Sequence, residues 1–230
     1  MNIILRADPE PVLIDTARTA LVVVDVQNAF CSKGGLFDIL GQLEEDKINK
    51  VISIDKKAIE ACRRKGFPVI YFRMGFRPDL ADAGGPECIS YWKEDTLISA
   101  REDPRVKGRY LTHGSWDWQV VDEIKPRPED ILVNKNRYSG FPNTDFDIVL
   151  RTRNIKYLLF CGFFTNVCVE SSIRDAFFHE YFPIIISDAC GNVGPDFTQE
   201  ATIWNVTHIF GWATTSKDLI RSLKYKGPSG

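Results

Sequence analysis

The sequence lacks any long apolar run, and its charges nearly balance. No uninterrupted stretch of apolar residues approaches the roughly 20 residues that a membrane-spanning helix needs. The formal net charge is only -2 at pH 7, which gives no reason to expect nucleic acid or an anionic membrane as a partner. Residues 1–8 also lack the basic-then-apolar layout of a secretory signal. We therefore expect a cytoplasmic protein.

Metal-ligand patterns and nucleotide motifs are missing as well. The three histidines, His113, His179 and His208, lie far apart, and no two cysteines have the C-x-x-C spacing of a zinc or redox site. No G-x-G-x-x-G or G-x-x-x-x-G-K-[ST] sequence is present, which argues against a nucleotide-binding module. We expect no metal and no other cofactor, and we expect most of the six cysteines to be buried free thiols.

What the chain does contain is a regular alternation of strand-like and helix-like segments. Short β-branched apolar runs are typical of buried parallel strands, and segments with apolar residues at helical spacing separate them. This alternation predicts an α/β fold: a doubly wound parallel sheet of about six strands with helices on both faces, in a Rossmann-like three-layer arrangement. No linker or repeat divides residues 1–230, so we expect one domain. The predicted strands are 20–26, 68–73, 130–134, 156–162, 183–187 and 206–210, and the predicted helices are 44–65, 117–124, 144–154, 165–181, 197–205 and 216–224.

Three polar residues lie at or just beyond the ends of separate predicted strands. Asp25 and Lys135 each come at a strand end, and Cys168 follows a strand after a short turn. Open α/β sheets bind their ligands outside the carboxyl ends of the strands. We therefore expect an acid, an amine and a thiol to meet at one edge of the sheet.

These residue types suit nucleophilic attack on a carbonyl carbon. A thiol reacts as a thiolate, so the pKa of Cys168, about 8.5 in model peptides, has to fall. A helix first turn contributes only roughly 0.3–1 kcal/mol to that. A lysine ammonium ~4 Å away contributes about 4 kcal/mol before desolvation is counted. We therefore expect Lys135 to dominate, and Asp25 to accept the thiol proton and return it to the leaving nitrogen.

Each of the three residues also has an ordinary structural interpretation. A carboxylate at a strand end commonly serves only as a hydrogen-bond acceptor, a lysine before a turn is usually solvated, and a lone cysteine among apolar residues usually packs. Their placement on one sheet edge favours catalysis over these alternatives. The non-enzymatic alternative is a catalytically silent scaffold with the same fold.

Two stretches of the chain resemble a known family. Val22–Asn28 and Gly162–Val169, together with the lysine after the third predicted strand, are similar to motifs of the isochorismatase-like cysteine hydrolases. The resemblance covers nearly the whole chain. It implies catalytic roles for Asp25, Lys135 and Cys168.

The same resemblance implies the geometry around the nucleophile. It implies a cis peptide bond between Phe163 and Phe164, and an oxyanion hole formed by the backbone N–H groups of Phe164 and Cys168. It also implies that the protein assembles as a dimer or tetramer of identical chains.

Within that family, residues 114–117, 137–144 and 166–171 resemble the ureidoacrylate amidohydrolases of pyrimidine degradation. This implies a small ureido substrate, attacked by Cys168 to give a covalent thioester. Residues 74–76 depart from that pattern, and residues 77–82 resemble the biuret hydrolases of the same family. A biuret- or triuret-type compound or another small amide therefore stays open as the substrate. Residues 74–90 contain no histidine, which disfavours a metal-dependent nicotinamidase.

The predicted substrate contacts are polar and aromatic residues near the sheet edge. Arg137 is a candidate clamp for a substrate carboxylate, and Tyr138 is a candidate hydrogen-bond donor. Residues 76–114 are expected to be irregular and to form a wall or lid. For each of these side chains, the alternative to substrate contact is packing in the core or in the wall. The candidates are Asn28, Phe37, Phe76, Tyr91, Trp92, Arg137, Tyr138 and Phe164.

Overall fold

The computed structural model describes residues 2–224, so Met1 and residues 225–230 of the predicted domain lie outside the described part. The strands are β1 (Asn2–Leu5), β2 (Val12–Asp15), β3 (Thr19–Val24), β4 (Val69–Met74), β5 (Ile131–Lys135), β6 (Tyr157–Phe163), β7 (Phe182–Gly191) and β8 (Trp212–Thr214). The α-helices are α1 (Asn28–Cys31), α2 (Leu36–Ile39), α3 (Glu45–Lys65), α4 (Ile89–Lys93), α5 (Asp95–Glu102), α6 (Phe146–Thr152), α7 (Glu170–Phe178), α8 (Phe197–Asn205) and α9 (Ser216–Lys224). Short 3₁₀ turns lie at Thr16–Arg18 and Asp122–Ile124, and π-helical turns at Thr165–Val169 and Val206–Phe210.

Strands β3 to β8 form one six-stranded sheet in the order β5-β4-β3-β6-β7-β8. Every neighbouring pair in it is parallel. The chain builds outward from β3 through β4 to β5, and then returns to the other side of β3 with β6. The strand order therefore reverses between β3 and β6, which is the switch point at which such sheets bind ligands. The predicted doubly wound fold is confirmed.

The central strand β3 is apolar on both faces because helices cover both. All six of its residues are buried. Leu21 and Val23 pack into the hydrophobic cluster on one face, and Ala20, Val22 and Val24 pack into the cluster on the other. This alternation follows from the two-residue period of a strand. The core therefore lies in two layers, one on each side of the sheet.

The long helix α3 covers one face, and its ends are marked in the sequence. Glu45 and Asp46 lie in its first turn, and basic residues occupy its last turn, as the helix dipole favours. Gly66 ends the helix with φ 84°, in the left-handed conformation that glycine adopts at little cost. The predicted helix over 44–65 agrees with these bounds. No helix in the part of the chain that is described is long and apolar enough to cross a membrane.

The last predicted strand is wrong. Residues 206–210 continue α8 as a π-helical turn, and the strand follows at Trp212–Thr214. The Thr207 hydroxyl donates to the Ile203 carbonyl, which extends helical bonding through this segment. Gly211 then passes so close to β7 that a Cβ at that position would lie 2.1 Å from the Pro183 carbonyl oxygen. The chain can thus approach β7 only at the glycine, after the β-branched residues that suggested a strand.

Two other segments also differ from the sequence prediction. Of the predicted helix over 117–124, only the 3₁₀ turn Asp122–Ile124 forms, because the backbone before it pairs with another loop: the carbonyl of Gln119 accepts from the N–H of Asn28. The expected irregular stretch 76–114 contains the short helices α4 and α5. The antiparallel hairpin of β1 and β2 lies ahead of the first predicted strand and was not predicted.

Gly162 gives β6 the bend that brings its carboxyl end against β3. Its φ is +108°, and the pairing with β7 shifts register between Phe160 and Gly162. A Cβ at Gly162 would lie 2.2 Å from the Val24 carbonyl oxygen. Only glycine satisfies both the dihedral and the space, so this residue fixes the direction of the turn that follows β6.

We expect Gly162→Ala to lower the free energy of unfolding by about 2–4 kcal/mol, because the clash and the dihedral both oppose the methyl group. The matched control is Gly41→Ala, since Gly41 has φ +75° and no neighbouring atom within 4 Å of the place a methyl group would take. The control should lose only about 1 kcal/mol from the dihedral. Urea unfolding of both variants measures the difference. Equal losses would show that the contact with Val24 is unimportant.

Candidate active site

A buried ion pair joins the ends of β3 and β5. The Nζ of Lys135 lies 2.7 Å from Oδ2 of Asp25, and both side chains are almost completely buried. The same ammonium donates to the Arg137 carbonyl oxygen at 3.1 Å. Two buried charges are tolerated because each neutralises the other and their polar atoms are hydrogen-bonded. Lys135 is therefore buried and paired, and its alternative interpretation as a solvated lysine before a turn is wrong.

The backbone after β4 holds the Asp25 carboxylate in place. Asp25 has φ 50°, and its Oδ1 accepts the N–H of Met74 at 3.0 Å. Gln27, which is fully buried, accepts the same N–H through Oε1 at 2.8 Å and donates through Nε2 to the carbonyls of Met74 and Trp118. Gln27 thus locks the loop after β3 to the end of β4. It is part of the site's support, and the sequence reasoning did not single it out.

Cys168 lies in the π-helical turn that follows β6. The peptide bond between Phe163 and Phe164 is cis, as the resemblance implied. Two backbone N–H groups, those of Val167 and Val169, donate to the Phe164 carbonyl and close the turn. Cys168 is 6% exposed, lines the same cavity as Asp25, and lies close enough to Asp25 and Lys135 for both to act on the pKa of its thiol. The structure therefore brings the three residues predicted from the strand ends together at one place.

The charges at this site set the protonation of the thiol. Burial raises the pKa of Cys168, the Lys135 ammonium lowers it, and the nearby Asp25 carboxylate raises it again, so the pKa ends above its ordinary value. Burial acts to lower the pKa of Lys135, but Asp25 and Cys168 outweigh burial and the pKa is raised. Lys135 is the largest of the effects that lower the thiol pKa, but the expected net fall of that pKa is wrong, because burial outweighs the lysine. The resting site therefore holds a neutral thiol beside an ion pair.

The thiol opens into a small cavity of about 70 Å³ at the switch point. This is far below the roughly 300–1,000 Å³ of pockets for drug-sized ligands, so the space beside Cys168 suits only a small group. Two larger depressions, of about 430 and 480 Å³, lie elsewhere and do not include Cys168. The cavity is lined by Asp25, Phe30, Phe37, Met74, Glu94, Asp95, Thr96, Tyr138, Phe164, Val167, Cys168 and Val193.

Three of the predicted substrate contacts line this cavity: Phe37, Tyr138 and Phe164. Phe37 stacks on Phe164 with ring centroids 5.3 Å apart, which gives the cavity an apolar wall. The hydroxyl of Tyr138 donates to the Lys93 carbonyl at 3.0 Å, so Tyr138 is tied to the segment that carries α4 and α5.

The other predicted contacts lie outside the lining. Asn28 is buried, and its side-chain amide is already hydrogen-bonded: Nδ2 donates to the Trp116 carbonyl, and Oδ1 accepts from the Ser32 hydroxyl. Arg137 donates to the carbonyls of Asn136 and Asp82. Phe76, Tyr91 and Trp92 are absent from the lining as well; Phe76 is fully buried and Trp92 is 56% exposed.

The sequence reasoning missed the acidic wall of the cavity. Glu94, Asp95 and Thr96 belong to the stretch predicted only as an irregular wall or lid. Glu94 caps α5, with its carboxylate accepting the Leu97 N–H. Glutamate is not among the residues that commonly cap a helix, so no sequence signal would have placed Glu94 at the start of α5 or in the cavity wall.

Fold and site together place the chain among the three-layer α/β hydrolases. The chain belongs to the isochorismatase family, since the family model described as Isochorismatase domain matches residues 19–218. Two relatives are named ureidoacrylate amidohydrolase RutB. The one from Rhizobium rhizogenes is 45% identical over 99% of this chain and 92% of its own length. The one from Agrobacterium fabrum is 45% identical over 97% and 98%.

Solved structures agree with this assignment. A cysteine hydrolase from Pseudomonas syringae pv. phaseolicola superimposes with a TM-score of 0.77, at 30% identity over 92% of this chain and 94% of that chain. The N-carbamoylsarcosine amidase from Thermoplasma acidophilum gives a TM-score of 0.65, at 27% identity over 91% and 99%.

We expect Lys135→Met to destabilise the protein by about 3–5 kcal/mol, because it leaves a buried carboxylate without its partner. Adding Asp25→Asn to that variant should restore much of the loss, since no unpaired charge then remains. Urea unfolding of the two single variants and the double variant measures the coupling. Strictly additive losses would mean that the ion pair does not act as a unit.

The raised thiol pKa predicts how alkylation of Cys168 depends on pH. Because only the thiolate reacts, the rate with iodoacetamide should still rise about tenfold per pH unit from pH 8 to 10, where a thiol with the ordinary pKa of about 8.5 levels off. The alkylated peptide is quantified by mass spectrometry, and the exposed Cys88 in the same digest reports reagent quality. A rate that is already constant at neutral pH would show a lowered pKa and contradict the structure.

Proposed function

We propose that the chain is a cysteine-dependent amidohydrolase that cleaves a C–N bond of a small ureido compound. Cys168 is the nucleophile, Asp25 the general base and acid, and Lys135 the residue that keeps Asp25 ionised. The observation that carries the proposal is the buried ion pair beside a thiol that opens into a cavity at the switch point. A scaffold would gain little stability from this arrangement, because replacing a buried ion pair by apolar packing is often neutral or stabilising.

The first half of the reaction forms a thioester. The Asp25 carboxylate takes the Cys168 proton as the sulfur attacks the carbamoyl carbon, so the thiol need not be ionised beforehand. The carbonyl oxygen becomes an oxyanion, stabilised by the N–H groups of Phe164 and Cys168. The C–N bond then breaks, and Asp25 returns the proton to the leaving nitrogen. An amine leaves and a carbamoyl thioester remains on Cys168.

The second half releases the thioester. A water molecule takes the place of the amine, gives a proton to Asp25 and attacks the same carbon. The C–S bond breaks, Cys168 recovers its proton, and carbamic acid departs and decomposes to ammonia and carbon dioxide.

The substrate class rests on the relatives. Proteins named ureidoacrylate amidohydrolase are 45% identical over almost the whole chain, and an N-carbamoylsarcosine amidase shares the fold. Both names describe compounds that carry a carbamoyl group on nitrogen, and the small cavity suits a group of that size. A ureidoacrylate-type compound of pyrimidine degradation is therefore proposed. A biuret- or triuret-type compound is the second candidate, because Arg137, the expected carboxylate clamp, lies outside the lining.

We also propose that the enzyme works in the cytoplasm as a homo-oligomer. Exposed aromatic side chains support the second statement, since large apolar side chains gathered on a surface commonly meet a partner chain. Phe177 is 43% exposed and Phe178 is 68% exposed, and their rings pack against each other and against Phe210. No nucleic acid or membrane takes part in the proposed reaction.

We expect the protein to release ammonia from at least one of ureidoacrylate, biuret, triuret and N-carbamoyl amino acids, and to leave nicotinamide intact. Cys168→Ala should abolish this turnover, because the reaction then has no nucleophile. Ammonia release is followed with a coupled assay, with Cys62→Ala, which removes a buried thiol outside the cavity, as the matched control. Turnover that survives Cys168→Ala would contradict the mechanism, and no turnover of any ureido compound would leave the scaffold as the better interpretation.

A further inference from the structure

Glu94 places a second buried carboxylate in the wall of the reaction cavity. The residue is only 4% exposed, yet it lines the same cavity as Cys168. Unlike Asp25, it has no cation beside it: in the described residues 2–224, no lysine, arginine or histidine forms an ion pair with it. A buried carboxylate without a cationic partner is costly and needs hydrogen-bond donors.

One of the two carboxylate oxygens is supplied with two donors. Oε2 accepts the Leu97 N–H and the Thr96 hydroxyl, each at 2.7 Å. These two bonds fix the plane of the carboxylate. The Thr96 N–H also acts on this carboxylate, while in the described residues 2–224 the Thr96 hydroxyl and the Leu97 N–H both bond to Oε2, which makes Oε1 the oxygen left for a ligand.

The other polar groups of the lining are already engaged. Asp25 is paired with Lys135, the Thr96 hydroxyl donates to Glu94, and the Tyr138 hydroxyl donates to Lys93. Asp95 is exposed at the rim. Glu94 is thus the fixed, buried acceptor that the described cavity offers to a ligand, and an acceptor recognises an N–H group.

We propose that Glu94 is a specificity-determining residue that accepts a hydrogen bond from an N–H group of the ureido substrate. This rests on the proposed function, since a ureido carbon carries nitrogen on both sides. While one nitrogen is the leaving group, an N–H of the other, or of the leaving nitrogen itself, bonds to Oε1 and turns the carbonyl toward Cys168. A substrate without N–H groups gains nothing from Glu94.

The test compares two substrates in one variant. Glu94→Gln keeps an oxygen for the Leu97 and Thr96 bonds but presents an NH₂ group where the acceptor was. We expect kcat/KM for the ureido substrate to fall by about 10- to 100-fold, because a charge-assisted hydrogen bond is lost and two donors face each other. With p-nitrophenyl acetate, which acylates a thiol but has no N–H, the loss should stay within about threefold. Asp103→Asn, an acidic residue at the other end of α5 and outside the lining, is the matched control.

Each outcome is decisive. Equal losses on both substrates would show that Glu94 only caps α5, and would overturn the inference while leaving the proposed function in place. An unchanged rate on the ureido compound would overturn it too. If the wild-type protein turns over the ester through Cys168 but no ureido compound, both the inference and the ureido substrate class fail. The melting temperature of each variant shows whether a loss comes from unfolding.

Discussion

The structure around the candidate site depends on one interaction, the buried ion pair between Asp25 and Lys135. Neither charge would be tolerated alone at this depth, and together they tie the end of β3 to the end of β5, with β4 between them. The Met74 N–H at the end of β4 completes the connection by donating to Asp25. Three neighbouring strands are thus held in register at the edge where Cys168 arrives from β6.

The same ion pair decides the chemistry available to the thiol. A free ammonium would stabilise the thiolate, but here its charge is shared with a carboxylate that opposes ionisation, and burial opposes it as well. The pKa of Cys168 is therefore raised in the free protein. The site is better suited to removing the proton as sulfur attacks than to storing a thiolate, and a neutral resting thiol is also less exposed to oxidation.

The sequence was informative where a general rule of the fold or a special backbone dihedral applies. Asp25, Lys135 and Cys168 could be found because parallel strands end at a common edge, and Gly66 marked the end of α3 by its special dihedral. Glu94 could not be placed in the cavity, since the path of the chain between β4 and β5 depends on long-range contacts. Arg137, an expected substrate contact, lies outside the cavity lining for the same reason. Its guanidinium donates to the carbonyls of Asn136 and Asp82, and sequence spacing does not predict these hydrogen bonds.

In the proposed reaction Cys168 carries a carbamoyl or acyl group during turnover. The direct measurement is to mix the enzyme with a ureido substrate, quench it in acid within the first turnovers and map the labelled peptide by mass spectrometry. We expect a hydroxylamine-sensitive thioester on Cys168 in the wild type, and no such thioester in Cys168→Ser. Turnover with an unaltered Cys168 at every quench time, or an adduct on another residue, would contradict it.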